Sequence, residues 1–143
     1  MDLHVIVCIK AVVIKASRGR IIRTTDNVRP NPFDMAALEC ALQLKAQSGG
    51  AVTVLSMGPP SSKIVMAEAL AMGADRAVLV CDPSLAGADT LATSTTLAAA
   101  LKKLEPCDLV LFGTRTSDSD TGQVGPQTAV ALNLPLVTGV HRF

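Results

Sequence analysis

The hydrophobic positions along the chain form five short apolar runs, separated by longer stretches in which apolar and polar residues mix. Most of these runs are continuously apolar instead of alternating, which is typical of parallel strands that are covered on both faces. The sequence therefore predicts five strands, at residues 3–9, 51–57, 76–81, 108–113 and 134–140.

The stretches between the runs carry the signals of helices. Asn31 is a typical N-cap, Pro32 is typical of the first helical position, and Gly73 is typical of a helix end. Strands that alternate with helices predict an α/β fold, with three layers, a parallel sheet of five strands and right-handed crossovers. Because 143 residues is a usual domain length, we expect a single domain over residues 1–143.

One long connection interrupts this alternation. The stretch "KAVVIKASRGRIIRTTDNVRPNPFD", residues 10–34, separates the first strand from its helix. Within it, "GRIIRT" at residues 19–24 predicts an arm of a short hairpin. Connections of this length are usually functional.

The loops that follow the first four strands are rich in Gly, Ser, Thr and Asp, above all the loop at residues 113–126. Open parallel sheets bind ligands at the carboxyl ends of their strands, and helix N-termini there favour phosphate. A surface loop capped by Asp and Thr explains the same composition equally well. Neither the GxGxxG dinucleotide fingerprint nor a GxxxxGK[ST] P-loop is present.

The composition indicates which kinds of binding partner the protein lacks and in which cellular compartment it is expected. The net charge is +1, and only 2% of residues are aromatic, so nothing favours nucleic acid or an anionic membrane. No apolar stretch predicts membrane insertion, and the N-terminal residues do not resemble a signal peptide. The cysteines lie far apart, which indicates reduced, mostly buried thiols in a cytoplasmic protein and no metal site. His4 and His141 lie away from the expected ligand edge, so structural roles are expected for both.

Six motifs in order carry a resemblance to a known family: "VCIK", "NPFDMAALECALQLK", "VLSMGPP", "ALAMGADRAVLV", "GADTLATS" and "DSDTGQVGPQTA". Over essentially the whole chain they resemble the β subunit of electron transfer flavoprotein, including FixA-type proteins. The resemblance implies a sheet of the adenine nucleotide α-hydrolase-like (HUP, Rossmann-like) type. It also implies a heterodimer with an α subunit that carries the redox FAD. The family's β subunit continues beyond the position of residue 143, so we expect either a fragment or a short variant.

The resemblance also implies which residues contact an adenine nucleotide. The main chain at Cys8 would meet the adenine, and the loop from Gly113 to Val124 would hold the phosphates and ribose. The residues assigned in this way, together with nearby polar residues that would reach a longer cofactor, are Cys8, Asn31, Pro32, Phe33, Asp34, Met57, Thr90, Ser94, Gly113, Arg115, Asp118, Asp120, Thr121, Gly122, Gln123, Val124, Gly125, Gln127 and Thr128. Plainer roles remain open: Met57 in the core, Cys8 chosen for its size, and Asp118 and Asp120 as helix caps.

The loop sequence bears on which nucleotide is bound. Ordinary family members, which hold a structural AMP, resemble "DDDCNQTGQ" here, whereas electron-bifurcating members, which hold a second FAD, resemble "DGDTAQVGP". The present "DSDTGQVGPQ" therefore favours FAD, with AMP as the alternative. Gly122 stands in place of a larger amide side chain, and the hydroxyls of Thr90, Thr93 and Ser94 would add donors near a longer cofactor. Thr114 stands where bifurcating members often have Arg, and Arg115 follows it.

The resemblance implies an electron carrier subunit with no catalytic residue of its own. It would pass electrons between acyl-CoA dehydrogenase-type or other redox partners and acceptors, and it would oxidise NADH if it is of the bifurcating type. A stand-alone nucleotide-binding module of the universal stress protein type is the alternative. A nucleotide-dependent ligase or hydrolase is disfavoured, because only Lys10, Lys15, Arg115 and two loop aspartates offer chemistry.

Overall fold

The computed structural model describes residues 2–142, and a parallel sheet of four strands lies at its centre. The strands are β1 (Leu3–Cys8), β4 (Gly50–Met57), β5 (Arg76–Val80) and β6 (Leu109–Phe112), in the order β5-β4-β1-β6. The predicted parallel α/β sheet is confirmed for the first four strands, with boundaries that differ by at most one residue at each end.

Four helices cover the two faces of the sheet: α1 (Pro32–Ser48), α2 (Lys63–Met72), α3 (Thr90–Leu104) and α4 (Val124–Leu132). Side chains alternate between faces along a strand. In β1, Val5 and Val7 pack in the cluster that contains residues of α1 and α2, whereas Ile6 packs in the cluster with α3 and α4. The predicted three-layer architecture is therefore confirmed. None of the helices in residues 2–142 combines the length and apolarity needed to cross a membrane.

Local signals account for several helix boundaries. Pro32 occupies the first turn of α1, where its missing N–H costs nothing, and Gly73 ends α2 with φ 126°, a backbone conformation that favours glycine. Asp89 caps α3, because its carboxylate accepts from the Ala92 N–H at 2.8 Å.

The long connection after β1 folds as an antiparallel hairpin, which we call the arm (residues 11–30). Its strands are β2 (Ala11–Val13) and β3 (Val28–Pro30), and the buried Val12 and Val28 anchor them. A hairpin was expected, but its placement at residues 19–24 was wrong, because this segment forms only one isolated bridge, from Ser17 to Arg20. The pairing lies instead at the base of the arm, where apolar side chains reach the core.

The predicted fifth strand does not form. After α4, Asn133 adopts a left-handed conformation with φ 54°, and residues 134–140 are irregular. Their apolar side chains remain in solvent; Val137 is 78% exposed. An apolar run becomes a strand only where a neighbour pairs with its backbone and a layer covers it, and within residues 2–142 neither is supplied.

The four cysteines form no disulfide, and Cys8 alone among them is buried. The expectation that most of them are buried was therefore wrong: Cys40 and Cys107 are half-buried and Cys81 is exposed.

Candidate functional site

The strand order reverses between β1 and β6, because the chain passes from β1 outward to β4 and β5 and then crosses to the other side of β1. At this point Cys8, the last residue of β1, lies opposite Phe112, the last residue of β6. The crevice beyond the carboxyl ends of strands at such a reversal is the usual ligand site of an open parallel sheet.

Asp34 connects three segments that meet at this crevice: the start of α1, the residues after β1 and the residues after β6. Its side chain is almost fully buried in the first turn of α1, and its carboxylate accepts from the N–H of Lys10 at 2.8 Å and from the N–H of Gly113 at 3.1 Å. Burial raises the pKa of Asp34 to about 6, although hydrogen bonds from Asn31, Lys10 and Gly113 oppose the rise. A Cβ at Gly113 would lie 2.7 Å from the Asp34 nitrogen, so only glycine fits at this junction.

Asn31 fixes the loop between β6 and α4, which we call the β6–α4 loop (residues 113–123). Its fully buried amide donates to the Arg115 carbonyl at 2.8 Å and accepts from the Ser117 N–H at 3.2 Å. Asn31 occupies the N-cap position of α1, but its side chain makes no capping hydrogen bond to that helix. The side chain therefore holds the loop backbone and does not cap the backbone of the helix that follows it.

Asp118 connects the β6–α4 loop to the arm. Its carboxylate accepts from the Lys10 ammonium at 2.8 Å, the Val13 N–H at 3.3 Å and the Arg23 guanidinium at 3.4 Å. Only 6% of its side chain is exposed. Burial by itself would raise the pKa of Asp118, but Lys10, Val13 and Arg23 outweigh it and hold the pKa below its usual range.

The rim of the crevice carries one exposed guanidinium. Arg115 lies 5.0 Å from the centre of the Phe33 ring, and its Nε lies 3.3 Å from a carboxylate oxygen of Asp120. The Arg115 and Asp120 side chains are both more than half exposed, so the attraction between them is weak and the guanidinium stays available to an anion.

The start of α4 faces the same edge. Gln123 occupies its N-cap position, and within the described chain no side chain caps this helix. The first N–H groups of a helix have no partner inside it, so they remain available to an anion. A Cβ at Gly125 would lie 3.2 Å from the Phe112 ring, so the absence of a side chain lets the helix start pack closely against the end of β6.

Comparison with known proteins decides the family. The family described as "Electron transfer flavoprotein domain" matches residues 19–143. The chain belongs to the electron transfer flavoprotein family. The sequence resemblance to β subunits and FixA proteins is thereby confirmed.

Three relatives illustrate this family relationship. The chain is 48% identical to "Electron transfer flavoprotein subunit beta" of Clostridium acetobutylicum, over 98% of this chain and 56% of the relative. It is 45% identical to "Protein FixA" of Azorhizobium caulinodans, over 99% and 54%. It is also 45% identical to "Caffeyl-CoA reductase-Etf complex subunit CarD" of Acetobacterium woodii, over 97% and 56%. The chain spans about half the length of these relatives.

In this electron transfer flavoprotein chain, some of the residues assigned from the resemblance bind other parts of the protein. Asn31, Asp34 and Asp118 hold backbone groups or cations, as described above. The Thr128 hydroxyl donates to the Val124 carbonyl at 2.7 Å, and the Ser94 hydroxyl donates to the carbonyl of Leu91 at 2.9 Å and to the side chain of Gln127 at 3.4 Å.

The remaining assigned residues lie closer to solvent or in the core. Four are exposed in the β6–α4 loop: Arg115, Asp120, Thr121 and Gln123. Pro32 and Phe33 begin α1, Thr90 begins α3, and Gly122 and Val124 flank the exposed Gln123. Cys8 and Met57 pack in the apolar cluster on the α3 side of the sheet. Burial, followed by the nearby Asp34 and Cys107, raises the pKa of the Cys8 thiol, so it stays protonated.

Sequence reasoning did not assign Lys10 and Arg23 to this site. Lys10 directly follows an apolar strand, which is a recognisable signal for a residue at the ligand edge. Arg23 is one of several basic residues in the arm, and nothing in its sequence context distinguishes it.

Proposed function

We propose that this chain is the nucleotide-binding part of an electron transfer flavoprotein β subunit. It holds an adenine nucleotide at the carboxyl ends of β1 and β6 and acts in electron transfer together with an α subunit. One observation carries the proposal: the buried Asn31 and Asp34 fix the β6–α4 loop beside a helix start that no described side chain caps.

The donor groups at this edge fit the phosphates of a nucleotide. The N–H groups of Val124 and Gly125 at the start of α4 and the exposed Arg115 would bind phosphate oxygens. The side chain of Gln123 is exposed and would serve as a further polar contact. Asp118, Ser94 and Thr128 already bind other protein groups, so in this proposal they support the site without touching the ligand.

Within this proposal the nucleotide is FAD, and AMP is the alternative. The "DSDTGQVGPQ" loop and the similarity to a relative whose name places it in a caffeyl-CoA reductase-Etf complex both support FAD. A bound flavin would supply the redox chemistry, and the residues of this chain would bind, orient and shield it.

We further propose that the chain forms a cytoplasmic heterodimer with the α subunit. The redox partner of this heterodimer would be an acyl-CoA dehydrogenase-type protein or NADH. Family membership supports the heterodimer. The low net charge and low aromatic content disfavour nucleic acid as a partner.

The first experiment identifies the nucleotide that stays with the purified protein. Because the chain contains no Trp and no Tyr, a bound nucleotide will dominate the ultraviolet absorbance. Flavin bands in the visible, with FAD released on heating and identified by mass spectrometry, would support FAD. Released AMP without flavin bands would support the AMP alternative. A protein that neither retains nor binds added FAD or AMP would refute the proposed function.

A pair of variants tests whether the site lies where we place it. Asn31→Ala removes the amide that holds the β6–α4 loop, so we expect at least about tenfold weaker nucleotide binding in calorimetry. Gln47→Ala is the matched control, since it removes an exposed amide from the same helix. Equal affinity of the two variants for the nucleotide would place the site elsewhere.

A further inference from the structure

The arm and the β6–α4 loop meet at a single buried carboxylate. Asp118 belongs to the loop, where it accepts from the neighbouring Ser119 hydroxyl at 3.2 Å, and its other hydrogen bonds come from Lys10, which precedes the arm, and from Val13 and Arg23 within it. The Lys10 ammonium also donates to Ser119 of the loop at 3.1 Å. Two cations on one acceptor that is only 6% exposed make this the main polar link between the two segments.

The arm is held differently at its base and toward its tip. At its base Val12 and Val28 are buried, and farther out the Ser61 hydroxyl donates to the Arg23 carbonyl at 2.7 Å. Toward its tip, Ile21 and Ile22 are each about half exposed, so this part of the arm is packed less tightly than its base. The position of the outer arm therefore depends on polar contacts, among which those to Asp118 reach the β6–α4 loop.

We propose that Asp118 is a positioning residue that couples the arm to the β6–α4 loop, so that ordering of either segment stabilises the other. Coupling between two equilibria is reciprocal, so ordering of the loop favours ordering of the arm by the same factor as ordering of the arm favours ordering of the loop. The consequence for ligand binding rests on the proposed function: a nucleotide that orders the loop also orders the arm.

The arm itself supplies the assay. Arg18 and Arg20 lie near its tip, both exposed, and are sites for trypsin. In the protein without nucleotide, we expect Asp118→Asn to speed cleavage there about tenfold, since it removes a charge-assisted acceptor from two cations. Conversely, Arg23→Gln should speed amide hydrogen exchange in residues 114–123 by a similar factor.

Two controls separate coupling from general destabilisation. Arg23→Lys keeps the positive charge, and Glu68→Gln removes an exposed carboxylate outside the arm, so both should behave like the original protein. If Asp118→Asn fails to fold, amide hydrogen exchange of the β6–α4 loop in Arg23→Gln is sufficient to test the coupling. Unchanged cleavage in Asp118→Asn, or unchanged loop exchange in Arg23→Gln, would overturn the proposal.

Added FAD or AMP completes the test. Nucleotide should slow cleavage of the arm in the original protein but have a much smaller effect in Asp118→Asn at saturating concentration. Equal protection of both proteins would overturn the coupling. If the original protein binds neither nucleotide, the proposed function fails, while the cleavage and exchange rates without nucleotide still decide the coupling.

Discussion

Asp34 should make the stability of this protein rise as the pH falls, which is the reverse of the usual behaviour of a carboxylate. Burial raises its pKa from the ordinary 3.8 to about 6 in the folded state. When the pH lies between these two pKa values, the folded protein binds more protons at Asp34 than the unfolded chain does. The free energy of unfolding therefore increases as the pH is lowered from about 6 to about 4, and this contribution is lost as the pH rises through 6.

The magnitude follows from the shift. Each pKa step is worth about 1.4 kcal/mol, so the full contribution of Asp34 is about 3 kcal/mol. Asp34→Asn removes the titrating group but keeps its size. The variant should be less stable than the original protein, because an amide cannot accept from both the Lys10 and Gly113 N–H groups.

The assay is urea denaturation of both proteins at several pH values between about 4 and 7. The difference in unfolding free energy between them cancels most other titrating groups, including Asp118, whose lowered pKa acts in the opposite sense. This difference should grow by about 2.4 kcal/mol on going from pH 7 to pH 4, since at pH 4 part of the unfolded population is also protonated at Asp34. A difference that is flat over this range, or that shrinks toward acid, would show that burial does not raise the pKa of Asp34.

Three further substitutions test the structure at separate places. Gly113→Ala should cost more than about 2 kcal/mol in urea denaturation, because its Cβ would meet the α1 backbone at Asp34; a neutral effect would contradict the tight junction. Asp89→Ala should cost about 1 kcal/mol through loss of the α3 cap, seen as a lower Tm, and an unchanged Tm would show that the cap contributes nothing. His4→Ala should cost about 2 kcal/mol, since its ring contacts the Pro106 carbonyl and the Thr53 hydroxyl, yet leave nucleotide affinity unchanged because it lies at the opposite edge of the sheet.

The sequence was sufficient for those parts of the fold that depend on neighbouring residues. Continuous apolar runs predicted four strands within a residue of their observed ends, and Pro32 and Gly73 marked the ends of helices. The same reasoning failed at residues 134–140, because an apolar run reports what a segment is able to bury and not whether a partner strand lies beside it.

At the candidate site, too, the sequence predicted some features and not others. Gly, Ser, Thr and Asp after the strands, together with the motifs of the family, were enough to select the β6–α4 loop and the start of α1. The roles of individual side chains at the site could not be predicted from the sequence. Asn31 was expected as a helix cap or a ligand contact, but its amide holds the loop backbone instead.

The sequence by itself determined the alternation of the first four strands with helices, the helix boundaries at Pro32 and Gly73, and the family, because each of these is recorded in residues that are close together along the chain. The tertiary structure alone decided which distant groups meet. Asp34 reaches the N–H of Gly113 and Asp118 reaches Lys10 only because the strand order brings the ends of β1 and β6 together. Such contacts depend on which loops close and which carboxylates become buried, and these are properties of the packed chain as a whole.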